Sequence, residues 1–213
     1  MFIPTLPHIK HLSSSSLLLY MRSREEWWKR YVDGIKEEPS EAMKIGTAIH
    51  AEIAQFIETN KEPESPSLSF TYWREWAIEN GFDFASFIEF QCKGMIDDIP
   101  ITGFIDALEP DCIYDWKTTK TFHDNWHMSY EVQGVTYSIL VDCPHVQFVE
   151  LKKTKARKSG FNTYNVEITE QKKEAVRNLY RNMVRELNGE EVDPVWKDEY
   201  YVREAMGIDL ISL

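Results

Sequence analysis

The sequence predicts an α/β (α+β) fold: a central mixed β-sheet flanked by helices and preceded by a helical region. Three observations predict it. Apolar residues recur at helical steps in 41–59. Three β-branched or aromatic runs separated by turn signals fill 85–117. A helix, two strands and a further helix then follow in order.

Ser13 to Ser16 offer helix N-caps, and one helix is expected from there to Val32, stopping at Gly34. In the second helix Ala42, Ile45, Ile49, Ile53 and Phe56 form one apolar stripe. A Pro- and Ser-containing loop leads to a shorter helix through Trp73 and Trp76 that ends at Gly81. Strands are expected at 85–91, 101–109 and 111–117, then a helix over 125–141 and strands at 146–153 and 162–168. A helix capped by Thr169 closes the series at Asn188-Gly189. All 213 residues are expected in one domain, with 1–84 mainly helical, 85–190 the sheet core and 191–213 a C-terminal tail.

Composition restricts the function. Hydrophobic residues at 43% provide a core, which excludes a disordered chain. The net charge of -11 disfavours general affinity for nucleic acid, so any DNA partner needs locally concentrated basic groups and bridging cations. Cys92, Cys112 and Cys143 are widely spaced, which predicts buried thiols in a reducing compartment. The longest early apolar run, Leu17 to Tyr20, is too short for a membrane span, and a cytoplasmic location is expected.

The informative segment is ITGFIDALEPDCIYDWKTTK, Ile101 to Lys120. With Pro110-Asp111 as a two-residue connection, Asp106 faces Asp115, Leu108 faces Ile113, and Lys117 shares the side of Asp115. Opposed carboxylates repel unless a cation or a shared proton relieves them. A divalent ion at Asp106 and Asp115, with Lys117 beside it, suits phosphodiester hydrolysis. An exposed hairpin with ordinary surface charges is the plain alternative. The apolar residues around both acids favour the functional reading.

These residues resemble the RecB-like branch of the PD-(D/E)XK nucleases, which have a restriction-endonuclease-like sheet. The branch includes bacterial recombination nucleases, CRISPR-associated exonucleases and the mitochondrial genome-maintenance exonuclease. LSSSSLLLYMRSREEWWKRYVDG is similar to the family's opening helix, and Gly46 to His50 match G-x-x-x-H. Gly103 to Asp106 match G-x-x-D, Asp115 to Lys117 match D-x-K, and Gln133 with Tyr137 match Q-x-x-x-Y. The resemblance implies that His50, Asp106, Asp115 and the Trp116 carbonyl hold the metal, magnesium or manganese. It implies Lys117 as the catalytic lysine, with Gln133 and Tyr137 shaping the site or contacting DNA. Relatives with an iron–sulphur cluster use four cysteines in places this chain lacks, so no cluster is expected.

On chemistry alone, His50 reads as a packed or exposed helix residue, and Gly46 as a point of close backbone approach. Glu89 in SFIEFQ reads as an exposed strand residue, with a further acidic group near the site as the alternative. DNA contacts are expected from Lys152, Lys153, Lys155, Arg157 and Lys158 in a turn, and from Arg22 and Arg24 beside Trp27 and Trp28. Only one of those adjacent tryptophans can face the core. The expected activity is a metal-dependent DNA exonuclease acting on single-stranded DNA or duplex ends in recombination, repair or phage replication. A sequence-nonspecific or structure-selective endonuclease, a non-catalytic DNA-binding module and an acidic protein-binding scaffold are the alternatives.

Overall fold

The apolar stripe of residues 41–59 forms α3 (Glu41–Thr59), capped by Ser40 and ended by Asn60 in a left-handed conformation. In this computed structural model, residues 9–82, 87–123, 126–156 and 158–208 are described. Before α3 lie α1 (Ser14–Arg22) and α2 (Arg24–Tyr31). The single helix expected here is two, because Ser23 is extended and its side chain caps Glu26 N–H. That serine and the glutamate three residues on match the S-x-x-E pattern of a helix start within an otherwise helical run. The Glu26 carboxylate, however, pairs with Arg22 and not with the Ser23 N–H. Trp27 is buried and Trp28 exposed, as adjacent helix positions require.

α4 (Leu68–Asn80) leads to a five-stranded sheet. Its strands are β1 (Phe87–Ile96), β2 (Ile99–Leu108), β3 (Cys112–Thr119), β4 (His145–Lys152) and β5 (Phe161–Glu167), in spatial order 1-2-3-4-5. All pairs are antiparallel except β3–β4, which α5 (Met128–Val141) joins as a crossover. The sheet is therefore mixed and flanked by helices. β1 extends past the expected residue 91, because the Asp97-Asp98 turn pairs it with β2 along its length. Residues 85–86, expected to begin that strand, lie outside the described residues.

α6 (Glu170–Leu187) is followed by a 3-10 turn (Pro194–Lys197) and α7 (Glu199–Ala205), where only a tail was expected. Trp196, Val202 and Met206 of this segment are buried in the core. Each such apolar side chain contributes about 1.5–3 kcal/mol by leaving water.

The two sheet faces carry separate cores. One packs α1, α5 and α6 on Ile105, Ile113, Val146 and Phe148. The other packs α3 and α4 on Ala107, Trp116, Val149 and Leu151. Alternation along a regular strand would keep residues 105 and 107 on one face. Here they fall in opposite cores, as do Phe90 and Ile88 on β1. The inversion is centred on Asp106 and on Glu89, whose φ is +48°.

Candidate active site

Trp116 sets the orientation of β3. Its ring packs edge-on against Trp73, Trp76 and Phe82, with centroids 5.9, 5.4 and 5.8 Å away. With Trp116 held in that core, Asp115 and Lys117 face α5 instead. The β2–β3 register is the expected one: Leu108 pairs with Ile113 and Ala107 with Tyr114. The ladder stops there. Asp106 Oδ2 instead accepts the Trp116 backbone N–H at 2.6 Å, so a carboxylate stands in for a strand partner. Farther along β2, Leu12 takes the vacant edge, bonding to Pro100 and Thr102.

His50 reaches this opening from α3 and places Nδ1 3.0 Å from Asp106 Oδ1. Glu89 joins from β1, and ligand atoms of His50, Glu89 and Asp106 all lie within 4.8 Å of one another. Glu89 is an exposed strand residue as expected, and its alternative reading as a further acid near the site fits this cluster. Its signal was the Asp97-Asp98 turn, which sets residue 89 opposite residue 106.

Asp115 is buried beside this trio. Lys117 Nζ forms an ion pair with its Oδ1, and Gln133 Nε2 donates to its Oδ2 at 3.1 Å. The ion pair and the glutamine bond together engage both carboxylate oxygens. Gln133 also donates to Tyr137 Oη at 2.8 Å. Tyr137 is buried, so it supports Gln133 and offers no surface to DNA.

The charges interact. Burial pushes the Asp115 carboxyl above the usual range, the Lys117 ammonium pulls it down, and the Asp106 charge raises it again. Burial also lowers the His50 imidazolium, but its hydrogen bond to Asp106 and that charge outweigh burial and leave it raised. Glu89 is raised by burial and then by Asp106. A mutually repelling, partly buried carboxylate set with one imidazole fits a hard divalent cation.

Gly46 does not serve a close backbone approach. A Cβ there would meet only Thr118 Oγ1, at an ordinary 3.6 Å.

The expected DNA contacts do not converge into one patch. Arg22 pairs with Glu26 and borders a groove that also holds Glu37 and Glu38, while Arg24 is exposed on α2. Lys152 bonds the Lys120 carbonyl at 2.6 Å, and Lys153 borders a hollow with Ile49 and Glu52 of α3. Lys155 and Lys158 are exposed, and Arg157 lies outside the described residues.

Solved structures share this architecture. LHK-Exo, an alkaline exonuclease from Laribacter hongkongensis solved in complex with dAMP, is similar with TM-score 0.59 and 13% identity, over 95% of this chain and 96% of that one. A candidate exonuclease from Eubacterium rectale is similar with TM-score 0.58 and 16% identity, over 87% of this chain and 84% of that one. The chain shares the fold of these exonuclease structures. At such identities the likeness concerns the fold alone. No family model and no curated protein matches the sequence.

Proposed function

We propose that the chain is a magnesium- or manganese-dependent deoxyribonuclease of the RecB-like branch, acting as an exonuclease on DNA ends. One observation carries this reading: His50, Glu89, Asp106, Asp115 and Lys117, drawn from four elements, converge where β2 parts from β3. The exonuclease fold of the similar structures supports it.

His50, Glu89, Asp106 and Asp115, with the Trp116 carbonyl, would hold a divalent cation that supplies neutralising charge at the phosphate and acidifies water. Lys117 presents an ammonium to the phosphoryl oxygens and the attacking water. Gln133 and Lys117 hold the Asp115 carboxylate in one orientation. The Asp106–Trp116 hydrogen bond keeps the two acidic strands at a fixed separation.

Recombination, repair or phage replication is the proposed setting, in the cytoplasm. No helix among the described residues is long and apolar enough to cross a membrane.

The test is end-labelled single- and double-stranded DNA incubated with Mg²⁺ or Mn²⁺. Wild type should release nucleotides from ends, while Asp115→Ala and Lys117→Ala should not. Equal behaviour of all three proteins would overturn the reading.

A further inference from the structure

Beyond Lys117, on the side away from the carboxylates, the same sheet face carries a second polar group. Lys117 and Glu150 are paired positions of the parallel β3–β4 ladder, so their side chains share a face. Between them lies Phe148. Lys117 Nζ stands 5.4 Å from its ring centroid, and Tyr130 stacks on the same ring at 4.5 Å.

Glu150 is fully buried, yet its carboxyl is held below the usual range. Burial alone would raise its pKa, but hydrogen bonds from His123, Asn162 and Tyr130 outweigh that and lower it. His123 N–H donates at 2.9 Å, Tyr130 Oη at 3.0 Å and Asn162 Nδ2 at 3.0 Å, and His123 Nδ1 is in short contact. Asn162 Nδ2 also donates to the His123 carbonyl at 3.3 Å. His123 is thus held at its backbone N–H, its carbonyl and one ring nitrogen.

An ionised carboxylate only accepts, so Nδ1 of His123 carries the proton and Nε2 keeps its lone pair. The ring is half-buried, with one side open to solvent. His127 packs beside it with centroids 4.2 Å apart, its own Nδ1 2.9 Å from Ser129 Oγ. Burial, then the electrostatic influence of the neighbouring His123, lowers the pKa of His127.

The proposed hydrolysis needs a base, and the other groups are committed. Asp106 is taken by His50 and the Trp116 N–H, and Asp115 by Lys117 and Gln133. Glu89 sits among the cation-holding atoms, and the Lys117 ammonium has no lone pair. We infer that His123, oriented by Glu150, accepts the proton of the water that attacks the phosphodiester. The water oxygen forms the new P–O bond, and its proton passes to His123 Nε2. The P–O bond to the leaving nucleoside oxygen breaks, and that oxygen takes a proton from solvent. His123 then returns its proton to solvent. This inference rests on the nuclease reading.

The experiment uses the full chain with Mg²⁺ and end-labelled DNA. His123→Ala and His123→Gln should lower kcat by about 10²-fold or more with KM near wild type. Added imidazoles should restore His123→Ala in order of their basicity, but not His123→Gln, whose side chain fills the space and still bonds Glu150. His123→Gln should melt like wild type, and His123→Ala, which takes a partner from buried Glu150, somewhat lower. In the metal-free protein, imidazole ¹⁵N shifts should place the single proton of neutral His123 on Nδ1. Wild-type rates in both variants, rescue indifferent to basicity, or a proton on Nε2 would overturn the inference while leaving the nuclease reading intact. A wild type that cleaves nothing would overturn both.

Discussion

The ring of Tyr137 occupies the space that a side chain at Gly103 would fill: a Cβ there would lie 2.5 Å from Tyr137 Cε1 and 3.1 Å from Cys92 Sγ. The glycine of G-x-x-D therefore admits the tyrosine of Q-x-x-x-Y, and the tyrosine bonds the glutamine that bonds Asp115. Gly103→Ala should displace Tyr137 at an overpacking cost of about 1–3 kcal/mol. For a chain of this size that is about 2–4 °C of Tm per kcal/mol. Calorimetric melting measures it, and an unchanged Tm would refute the contact.

Gln133 touches Asp115 without belonging to the cation-holding set. Gln133→Ala should weaken Mn²⁺ binding by about 10–100-fold, the usual effect of removing a group that orients a ligand. Titration calorimetry reads it directly. Glu89→Gln should also weaken binding, which would confirm that an exposed strand residue completes the site.

The pKa of Asp115 is higher in the folded chain than in the unfolded one. Its contribution to stability is fully present below the unfolded value, about pH 4, and is lost as pH rises through the folded value. In EDTA, Asp115→Asn should therefore gain stability relative to wild type as pH increases from 4 to 8. The Tm difference between the two proteins across that range is the measurement. A constant difference would contradict the burial argument.

His50 holds its proton more firmly than a free imidazole because of Asp106. Its contribution is present below the unfolded value of about 6.5 and is lost as pH rises through the raised folded value. A cation taking this place must displace the proton. Heats of Mn²⁺ binding near pH 7 should vary with the ionisation enthalpy of the buffer, and His50→Ala should remove most of that variation.

Legibility in the sequence followed range. The β2–β3 register was readable because a two-residue connection imposes it. The shared face of Gln133 and Tyr137 was readable from one helical turn. The break at Ser23 had a local signal too, an N-cap serine in an S-x-x-E pattern, which the serine-rich helical run around it obscured. Glu89 was not readable in the same way. Its place depends on a second hairpin and on an inversion of strand alternation, visible only once two cores compete for one strand. His123 and Glu150 lie 27 residues apart and meet only through the parallel β3–β4 crossover.

By itself the sequence determined most element types from α3 to α6, the register at the β2–β3 turn and the side on which Lys117 lies. Periodicity and turn chemistry act over a few residues and need no partner. Tertiary structure alone decided that β2 parts from β3, that Asp106 takes a backbone N–H there, and that His50 and Glu89 enter the opening. Those outcomes arise where helices packed on both faces pull one strand two ways, and no local pattern records that balance.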